Sequence, residues 1–108
     1  MPFQKIRVGS PFGAVLRPFG YEAIVFGSEA AGLDPAMALR AVVTVMRIEG
    51  SGGIRFLLHG DAPTATVGVP LYALDIIEMG RLEGLGFLGI LMADSTITGH
   101  VLYYDAIN

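Results

Sequence analysis

The chain has 108 residues, 53% of them hydrophobic and only 16% charged, with a formal net charge of −3. That length fits one domain, and the net charge argues against phosphate-backbone binding, which takes clustered Lys and Arg. With no cysteine there are no disulfides or thiolate metal ligands, no run reaches the roughly 18 apolar residues of a membrane span, and Met1-Pro2-Phe3-Gln4-Lys5 lacks a signal peptide's apolar region.

Soluble domains average about 25% charged residues. The apolar surplus exceeds what one small core hides, so part of it is expected on contact surfaces with other chains. The abundant Ala and Gly leave a greasy monomer as the alternative.

In chain order, residues 1–20 read as an extended arm, because Pro2, Pro11 and Pro18 alternate with Gly9, Gly13 and Gly20 and interrupt any long element. Pro11-Phe12-Gly13 recurs as Pro18-Phe19-Gly20, too little for a repeat architecture. Phe12 and Phe19 either fold back onto this domain's core or dock on a neighbouring subunit. Residues 21–27 form a strand candidate. In 28–38, Asp34 is placed to cap a single helical turn opening at Pro35, since its side-chain oxygen can accept from free N–H groups and Pro is tolerated at the first position.

Residues 39–49, rich in Val, Thr and Ile, predict a strand. Gly50-Ser51-Gly52-Gly53 is a turn, and 54–58 answers as the second strand of a hairpin. A polar hairpin follows at His59-Gly60-Asp61-Ala62-Pro63-Thr64. Residues 73–79, 85–93 and 95–105 are further strands, with Gly80 and Gly84 as breaks. In Tyr103-Tyr104 one ring faces the core and the other outward, and an outward Tyr104 can anchor an interface or make an ordinary cross-strand contact. Many short strands between Gly and Pro turns predict an all-β sandwich or small barrel.

Residues with catalytic chemistry do not assemble in the sequence. Gly84-Leu85-Gly86-Phe87-Leu88-Gly89 matches the dinucleotide fingerprint in letters, but too few residues follow for a βαβ unit. Its glycines point to a close backbone approach inside a strand. His59 and Asp61 could serve a metal or general base, but His100 lies far along the chain and no nucleophile elbow is present. Glu78, Glu83 and Asp94 fall on separate turns, so nothing fixes a carboxylate separation for glycoside hydrolysis. His100 is expected on a strand, facing solvent or a subunit contact.

Gly20-Tyr21-Glu22-Ala23-Ile24, Ala31-Gly32-Leu33-Asp34-Pro35-Ala36, Arg40-Ala41-Val42-Val43-Thr44-Val45 and Ile54-Arg55-Phe56 form an ordered series. Gly60-Asp61-Ala62-Pro63-Thr64-Ala65-Thr66-Val67-Gly68, Pro70-Leu71, Ile76-Ile77-Glu78, Phe87 and Val101-Leu102-Tyr103-Tyr104 continue it. The series resembles small virion structural proteins of tailed bacteriophages over residues 20–105, most strongly at 60–68. The resemblance implies a β-sandwich that assembles on a phage particle, as a head decoration (cement) protein over the major capsid lattice or as a neck or tail component. The expected architecture is therefore all-β: a single antiparallel β-sandwich, jelly-roll-like, over 21–108, preceded by an extended N-terminal arm at 1–20.

The expected function is non-enzymatic. The chain would be made in the host cytoplasm and carried on the virion, most specifically on the capsid surface. It would be a homo-oligomer, a trimer first, on the major capsid protein or other virion proteins, with no cofactor, metal, nucleic acid or membrane. Phe12, Phe19 and Tyr104 are the candidate partner contacts. A receptor- or carbohydrate-binding fibre module and a small enzyme or ligand-binding barrel built on His59 and Asp61 are the rival expectations.

Overall fold

Alternation of apolar and polar residues builds two sheets from the chain. The computed structural model describes residues 5–7 and 15–107. In chain order the elements are β1 (Lys5–Arg7), β2 (Val15–Val25), β3 (Ala31–Gly32), α1 (Pro35–Arg40), β4 (Val43–Ser51), β5 (Gly53–Leu57) and β6 (Val69–Tyr72). Then come β7 (Ile76–Gly80), α2 (Arg81–Gly86), β8 (Leu88–Leu91) and β9 (Thr96–Ile107). A five-stranded sheet runs β1-β7-β4-β9-β2 and a four-stranded sheet runs β3-β8-β5-β6. All neighbours pair antiparallel except β1 beside β7. The fold is an all-β sandwich.

The core lies between the sheets. Met46, Ile48, Ile77, Met79, Val101 and Tyr103 of the five-stranded sheet are fully buried, facing Ile54, Phe56 and Leu71 of the other. These side chains alternate with exposed or half-buried neighbours, as a pleated strand with one face inward requires. Phe87 ties the layers: its ring stacks on Phe56 at 5.8 Å and meets Phe26 edge-on at 6.2 Å.

Residues 15–20 belong to the sheet. Val15 pairs with Ile107 and Pro18 with Tyr104, so the boundary expected between residues 20 and 21 falls inside β2. β2 is an edge strand, where a proline without an N–H is tolerated. The register shifts between Pro18 and Gly20. This bulge re-aims the extra residue, and Phe19 turns half-buried against the core.

Asp34 caps α1: its Oδ1 accepts from the N–H groups of Ala36 (3.0 Å) and Met37 (3.1 Å), and Pro35 opens the helix. The helix runs six residues rather than the single turn expected, taking in Leu39 and Arg40 from the expected strand. β-branched residues from Val42 onward then favour the extended backbone. Residues 81–86, which overlap the strand expected over 85–93, form α2. The Glu83 carboxylate accepts from the Gly80 N–H at 3.0 Å and satisfies one free donor of its first turn.

The hairpin expected between 39–49 and 54–58 does not form. β4 has β7 on one side and β9 on the other, so no edge is left for β5, which pairs with β6 and β8 instead. The turn at Gly52 (φ 87°) carries the chain across the sandwich, and the Ser95 hydroxyl accepts from the Gly53 N–H at 3.0 Å. The strand expected from residue 73 starts at Ile76. Before it, Asp75 closes a turn by accepting from the Tyr72 N–H at 2.8 Å, with Leu74 at φ 78°.

The polar segment at 59–64 lies in the loop joining β5 and β6, which do form an antiparallel hairpin. Arg55 organises that loop, donating to the carbonyls of Ala65 and Gly68, each at 3.0 Å. Thr64 Oγ1 accepts from the N–H groups of Thr66 (3.2 Å) and Val67 (2.9 Å), a local turn of the kind hydroxyl residues favour.

Candidate functional site

Both helices sit at one end of the sandwich, and between them the chain leaves apolar surface open. A cleft of about 240 Å³ is lined by residues that include Leu33, Pro35, Ala38, Leu85, Phe87 and Leu88. Small-molecule pockets run from roughly 300 Å³ upward, so this cleft suits one large apolar side chain. Leu39 (60% exposed), Leu82 (77%) and Leu85 (44%) lie on the helices that flank it. Gly86 allows the helix to sit this close, since a Cβ there would collide with the Leu58 carbonyl oxygen, whereas one at Gly84 would make ordinary contact with Thr44 and Leu33.

An arginine corner adjoins the helices. Asp105 accepts from Arg40 Nη2 at 2.9 Å and lies 3.5 Å from Arg17 Nε. The Arg40 hydrogen bond, aided by the Arg17 charge, holds the Asp105 carboxyl below the usual carboxylate range. Arg81 donates to the carbonyls of Ala41 and Arg40 at 3.3 and 3.4 Å. The Arg40 guanidinium stands 4.0 Å from the centre of the Phe19 ring, a cation–π contact. Phe19 in turn lies 6.1 Å from Tyr103.

Beneath this corner the Tyr103 hydroxyl donates to Glu22 Oε1 at 2.5 Å, and Glu22 Oε1 also accepts from the Asp34 N–H at 3.1 Å. Burial, reinforced by the Glu22 hydrogen bond, pushes the Tyr103 hydroxyl far above its ordinary value, so it stays protonated. This link ties β2, β9 and the start of α1 together, fixing the helix against the sheet.

A second polar group lies on the outer face of the five-stranded sheet. His100 Nδ1 is 2.7 Å from the Tyr21 hydroxyl, its Nε2 is 3.0 Å from Glu49, and the Tyr21 and His100 rings stack at 6.1 Å. One tautomer satisfies both bonds, with Tyr21 donating to Nδ1 and Nε2–H donating to Glu49. The group lies on an open sheet face, with Glu49 71% exposed, so water competes for each bond.

Of the partner contacts expected from sequence, Phe19 is half-buried on this domain's own core, Tyr104 is half-buried on β9, and Phe12 lies outside the described residues. Tyr103 is the ring of the pair that faces the core. His59 and Asp61 pair with each other at 3.1 Å on an exposed loop. They are not brought to His100, which bonds Tyr21 and Glu49 on β2 and β4. Glu78 is on β7, Glu83 caps α2 and Asp94 sits in a turn at the other end, so the three acids do not converge. Among the described residues no group of three or more His, Cys, Asp or Glu could hold a metal ion, and no helix is long and apolar enough to cross a membrane. The Gly84–Gly89 motif spans the end of α2 and the start of β8. No phosphate-binding loop opens a helix there, and Gly89 sits where a Cβ would come 2.8 Å from Phe26.

The leucines of α2 and the Tyr21–His100–Glu49 group were not found from sequence. Arg81-Leu82-Glu83 offered a signal, with an acid three residues after Gly80 as in a helix start. For the second group only the strand register brings together residues 79 and 51 positions apart. Comparison with protein-family models, with curated proteins and with solved structures finds no match.

Proposed function

We propose that this chain is a structural subunit that works by burying apolar surface against other chains, most specifically a decoration protein on the head of a tailed bacteriophage. The observation that carries the reading is the uncovered apolar end: Leu39, Leu82 and Leu85 are exposed on two short helices, and Leu85 also lines a cleft sized for a side chain. Exposed leucines on the helices that flank an apolar cleft favour a contact surface. The particular partner comes from the resemblance of the motif order to small virion proteins. Such a subunit binds the assembled lattice in preference to its dissociated parts and stabilises it by mass action. It needs no bond-making step.

The test is co-sedimentation of the purified chain with empty heads of the phage that encodes it. The proposal expects saturable, stoichiometric binding, weakened about tenfold or more by Leu82→Glu. Leu82 is exposed, so the substitution leaves the core intact. Absence of binding, or binding indifferent to Leu82→Glu, would overturn it.

A neck, tail or fibre component is the second reading. For a fibre module the favouring observation is the pair of exposed rings, Tyr21 (56%) and Tyr72 (48%), the first already stacked on His100. Aromatic faces of that kind carry sugar and protein contacts alike. Binding to tails or host cells in place of heads would select it.

A further inference from the structure

We infer that β1 is exchanged between copies of this chain, Lys5–Arg7 of one copy covering the β7 edge of the next. The inference deepens the assembly reading by naming a self-contact, and it rests on that reading.

The two ends of the connection from β1 to β2 lie far apart. Among the described residues β1 pairs with β7 alone, at one edge of the five-stranded sheet, while β2, the next strand in sequence, forms the opposite edge. Register fixes where both ends stand. Arg7 shares a row with Glu78, Val45, Leu102 and Tyr21. Val15 pairs with Ile107, five residues further along β9 than Leu102. Four strand spacings across and five residues along place Arg7 and Val15 roughly 26 Å apart in a straight line. Residues 8–14 supply eight Cα-to-Cα steps, which reach at most about 26–29 Å when fully extended. On the sheet that line crosses β7, β4 and β9, so a chain that climbs over them travels further.

A flexible chain of eight steps has a mean reach of only about 14–17 Å. A tether shorter than its span leaves very little effective concentration of its own end. β1 therefore gains little from being attached to the chain whose β7 it would cover. A second copy brings the same strand without that constraint, and β1 is the strand seated on this edge.

The edge suits such a joint. β7 buries Ile77 and Met79 fully and pairs with β4 on its other side, so its outer row of N–H and C=O groups is held in place. Left open, such an edge recruits strands without selection. Covered by a neighbour's β1 it becomes a specific contact, in which main-chain bonds supply affinity. Reciprocal exchange closes a dimer, and serial exchange closes a ring.

The test lengthens the connection. About twelve Gly and Ser residues inserted between Gly9 and Ser10 bring its mean reach to about 22–27 Å, close to the span. By light scattering the parent is expected above the monomer mass. The lengthened chain is expected at the monomer, because its β1 can now close on its own β7. The chain has no cysteine, so a disulfide can report the pairing directly. Arg7 and Glu78 are Cα partners on adjacent strands, about 4.8 Å apart and within disulfide range. Oxidised, the double variant Arg7→Cys with Glu78→Cys should link chain to chain on a denaturing gel with the native connection. With the lengthened connection it should close within one chain. A monomeric parent, an intrachain bond with the native connection, no bond with either, or chain-to-chain links undiminished by the insertion would overturn the inference. A chain that exchanges β1 but leaves phage heads bare overturns only the phage reading. One that binds heads while closing β1 on itself overturns only the exchange.

Discussion

The two faces of the five-stranded sheet use the same strands to opposite ends. On the inner face Met46, Ile48, Ile77, Met79, Val101 and Tyr103 pack without exposure against the second sheet. On the outer face, one residue along each time, Arg47, Glu49, His100 and Tyr21 stand in or near solvent, with Val25 and Leu102 exposed among them. The difference separates the side chains that hold the fold from those left open to solvent. The inner face is a closed volume in which every methylene counts. The outer face and the helical end are open surfaces whose side chains can change partners without unfolding the domain.

Consecutive residues of β4 give the sharpest break of that comparison. Met46→Ala should lower stability by about 2–5 kcal/mol in urea denaturation, through lost burial and the cavity left behind. Arg47→Ala, the next residue and exposed, should stay within about 0.5 kcal/mol. Equal effects would mean that the outer face is as constrained as the core.

A buried ionisable link, from Tyr103 to Glu22, comes next. Tyr103→Phe removes the hydroxyl donor to the Glu22 carboxylate and should cost about 1.5–3 kcal/mol. It should also change the alkaline limb of stability. The folded Tyr103 holds its proton well above the value of about 10 at which the unfolded chain releases it. Stability therefore falls as pH rises above about 10 in the parent, and falls less steeply in Tyr103→Phe. Chemical denaturation across that range reads the slope.

Gly99→Ala probes packing from the other direction. A Cβ there would lie 2.8 Å from Met46 Sδ and 2.9 Å from a Phe26 ring carbon, so overpacking of about 1–3 kcal/mol is expected in thermal or urea melts. On the outer face, Tyr21→Phe removes the hydroxyl bond to His100 yet should change stability by no more than about 0.5 kcal/mol. A larger loss would show the exposed group to be structural. At the arginine corner the sign for acid is also fixed. Asp105 is held low by Arg40, so its contribution is present above the ordinary carboxylate range and disappears as pH falls through its folded value. Arg40→Gln should flatten that acid limb.

The all-β class, the Asp34 cap and the inward and outward rings of Tyr103 and Tyr104 were legible because each depends on neighbours in sequence. Alternation marks a strand, and a capping oxygen sits two or three residues from the N–H groups it serves. The partners of β4 were not legible. Turn residues at 50–53 suggested a hairpin, but pairing is decided by which edges remain free, and β7 and β9 take both. Residues 81–86 were hidden by their glycines, which read as breaks, though Gly86 is needed where α2 presses on Leu58. The open leucines of the helical end and the Tyr21–His100–Glu49 group arise from folding together distant segments, so no local pattern announces them. The apolar surplus itself was visible in the composition; the proposed contact gives the part exposed on Leu39, Leu82 and Leu85 an address at the helical end.

The most direct test of that address is the number of copies bound per empty phage head at saturation, compared for the parent and Leu82→Glu. The account predicts a fixed stoichiometric occupancy for the parent and its loss in the variant, with both chains equally folded by circular dichroism. A parent chain that leaves heads bare, or a variant that fills them as well as the parent, would contradict it.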